Sequence, residues 1–316
     1  MKYKFLPLTT IVFLALLANS ARAGWPEKLF VPYMYVGIGD NFKLTDGDDA
    51  CGQKFYTLAF IISDQSNNPA WDGRIPLAEN FYASQIAAIR ARGGDVIMSF
   101  GGEGGKEIAL VETDAPALQA KYQSVIDRYH FTWLDFDIEG GALENTSANE
   151  RRNTALAGLQ AKNPGLRISY TLPVDPNGIS RAAQKLLADA KTKGVKVYSV
   201  NVMTMDFGPD WSAGKKLCDV AVASVLKAHA QCAQIDPAIQ IGITPDIGQN
   251  DVKSEIFSLA DARALMRWAK LQPWICSVSF WCSNRDKPGQ RNSGTSSGIQ
   301  QQPWDFTRIF QTFAAP

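Results

Sequence analysis

Eight apolar, β-branched or aromatic runs recur along the chain, at residues 29–36, 55–63, 95–101, 131–139, 166–174, 196–206, 239–247 and 275–283. Stretches of helical period lie between several of them. Ala183, Leu186, Leu187 and Ala190 fall at i, i+3, i+4 and i+7, one face of a helix. Residues 219–230 and 261–270 read the same way. Strand, helix, strand at this spacing implies parallel strands joined by crossovers. Eight such units in one chain predict an α/β fold closed as a (β/α)8 TIM barrel rather than an open sheet. The pattern shows no linker and no second module. The polar stretch from Asn292 to Gly298 reads as a loop after the last strand.

The first residues stand apart from this pattern. Lys2 and Lys4 flank the start of an apolar run that ends near Leu17, and Ala21-Arg22-Ala23 supplies a small-x-small cleavage site. That order is a secretory signal, and the run is shorter than the roughly 20 apolar residues of a membrane span. Residues 1–23 are therefore expected to be a signal peptide, residues 24–316 the catalytic barrel, and the protein secreted, extracellular or periplasmic. The formal net charge is +1, and the signal carries three of the positive residues, so the remaining chain is at −2. Charge this scattered and near neutral predicts no nucleic-acid partner and no membrane-surface partner. Export permits disulfides, but five cysteines leave at least one thiol free. Cys276 and Cys282 lie in one apolar run and read as buried small hydrophobes. Cys51 is unassigned, and a pairing of Cys218 with Cys232 across a helical stretch stays open.

The fourth run carries the chemistry. In a strand, alternate residues share a face, so Asp135, Asp137 and Glu139 point one way and Leu134, Phe136 and Ile138 the other. Three carboxylates inside a barrel cannot all be charged, so a proton is held among them. A carboxylic acid that keeps its proton at neutral pH is what general-acid catalysis needs. Barrel sites lie at the C-terminal ends of the strands, and Glu139 is nearest that end, before Gly140-Gly141. A metal site is the competing reading, but the only histidines are His130 and His229. His130 precedes the strand, at the wrong end of a barrel, and His229 lies in a helical stretch. No metal, no cofactor and no Ser-His-Asp triad is predicted.

With these residues in view, the chain resembles the family 18 glycoside hydrolases of the bacterial chitinase type. That family's fourth strand reads Asp-Gly-x-Asp-x-Asp-x-Glu. The last three acids match Asp135, Asp137 and Glu139, and Thr132 and Trp133 replace the first two residues. Ser99-Phe100-Gly101-Gly102 matches the Ser-x-Gly-Gly of strand three. Met203-Thr204-Met205-Asp206 stands where many members have Met-x-Tyr-Asp. Trp281 falls at the family's substrate-stacking tryptophan on strand eight.

The resemblance implies retaining, substrate-assisted hydrolysis of β-1,4-linked N-acetylglucosamine polymers, chitin and its oligosaccharides. Glu139 would be the acid and then the base. Asp137 would hold the acetamido group, Asp135 would share its proton, and Asp206 would bond the acetamido region or Glu139. Met205 cannot donate the hydrogen bond of the missing tyrosine, and Tyr170 on the fifth strand is the expected substitute. Asp246, where the family often has methionine, is either a substrate contact or a solvated loop acid. Trp281, Trp71 and Trp211 are the expected sugar platforms, with Met203 beside them; Trp133 reads as core. Gly101 and Gly102 would let the backbone approach closely, and Ser99 would bond Asp135. Tyr33 and Phe60 read as barrel lining. The chain has no large insertion between strands seven and eight, which predicts an open cleft and endo cleavage; a monomer is expected. An endo-β-N-acetylglucosaminidase acting on N-glycans and a non-catalytic chitin-binding lectin are the alternatives.

Overall fold

Each of the eight runs forms a strand, and parallel ladders close them into a ring. The computed structural model describes residues 24–37, 42–290 and 294–315. The expected signal peptide and part of the polar loop after the last strand, including Asn292, lie outside the described residues. The barrel strands are β1, in two pieces Leu29–Phe30 and Tyr33–Tyr35, β2 (Phe55–Ser63), β3 (Asp95–Gly101), β4 (Trp133–Asp137), β5 (Arg167–Asp175), β6 (Val197–Met203), β7 (Gln240–Thr244) and β8 (Ile275–Val278). Pro32 divides β1, because it has no N–H to give a ladder. The first piece pairs with β8 and the second with β2, so the two halves of one strand complete the ring.

Eight helices follow the strands in turn: α1 (Leu44–Cys51), α2 (Ala83–Ala91), α3 (Ala115–Tyr129), α4 (Thr146–Lys162), α5 (Arg181–Thr192), α6 (Leu217–Ile235), α7 (Leu259–Lys270) and α8 (Asp305–Gln311). In α5 the predicted stripe Ala183, Leu186, Leu187 and Ala190 is the buried face, and Ser180 caps the helix by accepting from the Ala183 N–H. Ser258 and Asp261 form a capping box on α7. No described helix is long and apolar enough to cross a membrane. All five cysteines are free thiols. Cys218 and Cys232 lie on one continuous helix, where a rise of about 1.5 Å per residue separates them by roughly 20 Å, far beyond disulfide reach.

The alternation predicted for β4 sorts its residues between two environments. Phe136 points outward and stacks on Phe100 with centroids 5.2 Å apart, while Tyr122 of α3 meets both rings edge-on. Each such ring, fully buried, contributes about 1.5–3 kcal/mol. Asp135 and Asp137 point into the ring. The regular ladders end at Asp137, Met203, Thr244 and Val278, short of the residues predicted from the apolar runs. Single bonds carry the chains on to the rim, from Ile138 N to the Thr171 carbonyl (3.0 Å) and from Trp281 N to the Pro245 carbonyl (2.9 Å). Glu139 is therefore extended, at φ −139° and ψ 173°, but outside the ladder. A short hairpin, Gly248–Gln249 with Ile256–Phe257, and α7 make up the connection from β7 to β8.

Candidate active site

Asp135 lies deepest of the three acids, and hydroxyls surround it. Register sets Ser99 of β3 and Ser169 of β5 directly beside it. Ser99 donates to Oδ2 and Ser169 to Oδ1, each at 2.7 Å, and Tyr33 donates to Oδ2 at 3.0 Å. Thr171 Oγ1 lies 2.9 Å from Oδ1. Trp133 supports this ring by donating its indole N–H to Ser169 (3.0 Å). Burial pushes the Asp135 carboxyl up, and the hydroxyl bonds pull it back.

Asp137 and Glu139 behave differently, because they have each other. Their carboxyls are close enough for a proton on one to be held by the other. Burial holds Asp137 well above the usual carboxylate range, and the charges of Glu139 and Asp135 add to that. Burial also raises Glu139; the bond from Asp137 opposes this, and the nearby Glu103 charge adds to it. The two titrate as a pair. Hydroxyls already occupy both Asp135 oxygens, so the expected bond between Asp135 and Asp137 is not formed, and Glu139 acts on Asp137 more strongly than Asp135 does. Asp137 Oδ1 is buried without a partner, an acceptor awaiting a donor.

These raised values have a sign for stability. Between the ordinary carboxylate range and the raised values, the native protein holds more protons than the unfolded chain, so this cluster's contribution falls as pH rises. Asp137→Asn removes a titrating member. Urea denaturation should show the stability of wild type relative to Asp137→Asn decreasing as pH is raised across that window. A difference that stays flat or grows would contradict the assignment.

The turn after β3 brings the backbone against the acids. Gly101 and Gly102 have φ of 104° and 89°, and the Gly102 N–H donates to the Asp137 carbonyl (3.0 Å). A Cβ on Gly101 would lie 2.1 Å from that carbonyl oxygen, and one on Gly102 would lie 2.5 Å from the Phe60 ring. Only glycine satisfies both constraints.

Above the acids opens a cavity of about 660 Å³. Asp137, Glu139, Met203, Met205, Asp206, Asp246 and Trp281 line it, with Tyr33, Tyr35, Phe60 and Glu103. Trp281 is half-buried and backed by Phe60 in a stack 5.8 Å apart at 13°, with Tyr35 tilted against it at 5.5 Å. One of its faces is thus fixed by protein and the side chain opens on the cavity.

Several expected contacts fall elsewhere. Tyr170 is fully buried on the outer side of β5, donating to Asn153 Oδ1 at 2.5 Å. On that strand Ser169 and Thr171 face inward, so Tyr170 has the wrong parity to replace the hydroxyl missing at Met205. Trp71 lies on Pro69–Trp71, which folds back antiparallel onto β2 and buries the ring; its indole donates to Tyr129 at 2.8 Å. Trp211 sits in the short helix Pro209–Ser212, packs on the core and does not line the cavity. Ser99, Gly101 and Gly102 support the acids from behind rather than lining the cavity. Asp206 lines the cavity with a positive φ of 49°, and accepts from the Val252 N–H (2.7 Å) rather than bonding Glu139. Asp246 is not solvated; it is 2% exposed and ion-paired with Arg285. Burial pushes its carboxyl up to about 7, against the pull of Arg285. His229 stacks on Trp274 at 3.9 Å, and His130 caps α3 in a left-handed conformation. Among the described residues no cluster of His, Cys, Asp and Glu could hold a metal ion.

Two features escaped the sequence reading. Tyr33 is more than lining, since its hydroxyl bonds both Asp135 and Thr171. Glu107 and Arg152 form a fully buried ion pair behind the β3 loop. Arg152 Nη2 donates to Glu107 Oε2 at 2.6 Å, and Tyr122 donates to Oε1 at 2.5 Å. The pair fastens the loop that carries Glu103 to α3 and α4.

No family model matches the chain. Among curated proteins it is 32% identical over 318 aligned residues to a probable bifunctional chitinase/lysozyme of Escherichia coli strain K12, covering 93% of this chain and 35% of that protein. It is 31% identical over 294 residues to Endochitinase 11 of Metarhizium anisopliae, covering 85% and 55%. The chain thus spans about a third and about half the length of these two relatives. A crystal structure of active domain 2 of the thermostable chitinase from Pyrococcus furiosus, as catalytic site mutants complexed with chito-oligosaccharides, superposes with a TM-score of 0.84. The two are 33% identical, over 92% of this chain and 96% of that one. Nearly complete overlap at this identity, on a barrel whose fourth strand leads Asp137 and Glu139 into a tryptophan-walled cavity with Asp135 buried beneath them, means that the chain belongs to the family 18 glycoside hydrolases.

Proposed function

We propose that the chain hydrolyses chitin and N-acetylglucosamine oligosaccharides with retention, using the substrate's own acetamido group as nucleophile. One observation carries the reading: Asp137, whose Oδ1 is buried and without a partner, lines the same cavity as Glu139. An acetamido N–H would supply the donor it lacks. In this reading Glu139 gives the pair's proton to the glycosidic oxygen as the bond to the anomeric carbon breaks. The acetamido oxygen closes on that carbon, forming an oxazolinium ion whose N–H is held by Asp137. Glu139, now a carboxylate, takes a proton from the water that opens the ring from the face the leaving group left. This scheme needs only one carboxyl as acid and base, unlike the two-carboxylate schemes. Asp135 keeps Asp137 oriented through charge and shared surroundings.

The test is turnover of chitotetraose with the first anomer recorded. Release of β-anomer product by the wild type is expected. Inverted product, or no turnover alongside tight binding, would overturn the reading. The short connection from β7 to β8 supports an open cleft and endo cleavage, so early products on soluble chitin should span several lengths. Trp281 is the sugar platform in this reading. Trp281→Ala should raise KM for the tetrasaccharide on the order of tenfold, with a smaller effect on kcat, because the lost stacking area is used in binding. An unchanged KM would remove Trp281 from the substrate path. We also propose that the protein is exported, that cleavage follows Ala23, and that it acts as a monomer; mass spectrometry of secreted protein and light scattering check these points.

A further inference from the structure

One buried carboxyl in the cavity wall has no part in this proton chemistry. Asp246 is held rigidly. Its Oδ1 takes the Arg285 guanidinium, and Arg285, 1% exposed, is fixed on two further sides. Its Nη2 donates to the Gln249 carbonyl (2.7 Å) and its Nε to the Ser296 carbonyl (3.3 Å). The ion pair anchors one oxygen of this carboxyl. Asp246 nevertheless lines the cavity, and its Oδ2 has no hydrogen-bond partner among the described residues.

The acceptor is also tied to the sugar platform. Asp246 is bridged directly to Trp281 across the barrel rim, and the Ile247 N–H donates to the Trp281 carbonyl (3.1 Å). Arg285 stands four residues beyond Trp281 on the same segment. Backbone bonds and the ion pair therefore make Asp246 and Trp281 one unit. A buried ion pair is a weak source of stability, since two apolar residues would pack there at less desolvation cost. A fixed acceptor facing a cavity is offset only when a donor arrives.

We propose that Asp246 reads the sugar that lies on Trp281: its Oδ2 accepts a hydrogen bond from a hydroxyl or N–H of that ring. This inference rests on the reading of the chain as a hydrolase of N-acetylglucosamine polymers. Calorimetry with chitotetraose on the Glu139→Gln protein, whose turnover is strongly lowered, is the reference measurement. Adding Asp246→Asn should weaken binding about tenfold or more. Asp246→Asn alone leaves Arg285 buried and unpaired, so Asp246→Asn with Arg285→Gln is measured in parallel. This pair of changes should restore Tm and still bind weakly. Binding within twofold of the reference by the folded variants would reduce the pair to a structural clasp. Failure of the reference protein itself to bind chitotetraose would overturn the functional reading, and this inference with it.

Discussion

Replacing Glu139 with Gln is expected to lower kcat on chitotetraose by about 10²- to 10⁴-fold, the usual contribution of a general acid, while Kd changes by no more than a few-fold. The glutamine keeps the shape of the side chain and its bond to Asp137, but has no acidic proton for the leaving oxygen. Burial and Glu103 raise the proton affinity of Glu139 in the wild type, so the wild-type rate should fall as pH rises through that raised value. The residual rate of the variant should not follow the same limb. Single-turnover kinetics beside calorimetric binding separates the two effects. A variant retaining more than a tenth of wild-type kcat would mean that another group delivers the proton.

A comparable effect on folding is expected behind the active site. Arg152→Met leaves Glu107 as an uncompensated charge in a place that is 1% exposed. It should cost about 3–5 kcal/mol, the usual consequence of breaking a buried pair from one side. Glu107→Gln should be damaging for the mirror-image reason, since it strands the guanidinium. The double variant Glu107→Gln/Arg152→Met should recover most of the loss, because no lone charge remains. Urea denaturation of the three proteins, read as a double-mutant cycle, checks this. Additive losses would mean that the two charges do not depend on each other. The same cycle read in activity should show loop displacement, because Glu107 anchors the segment bearing Glu103.

The parts of this molecule that could be read from sequence are those set by short periods. Eight apolar runs gave the barrel, and the alternation in β4 put Asp135, Asp137 and Glu139 on one face. Parity also explains the main error. Tyr170 lies on a strand whose two faces are both buried, so no polar alternation marks which side is inner; its register with Asp135 does, and register is a tertiary fact. Trp71 was misplaced because a strand that folds back on its neighbour has the same composition as a rim loop. Glu107 and Arg152 are 45 residues apart, and nothing local distinguishes a buried pair from two surface charges. Glu103 was within reach of the sequence, since it directly follows the glycine turn at the rim. The stronger coupling of Asp137 to Glu139 was not, because it depends on the hydroxyls from three other strands that occupy Asp135.

The divided first strand also bears on the order of folding. Lys28 reaches the Ile275 carbonyl, 247 residues along the chain, and β1 is bonded on both sides only when β8 exists. Joining ends that far apart costs on the order of 5 kcal/mol of chain entropy, and such non-local pairing is slow. Without β8 the Leu29–Phe30 piece has no partner and the ring cannot close around the acids of β4. A refolding chain should therefore regain its raised carboxyl values and its catalytic competence together with ring closure.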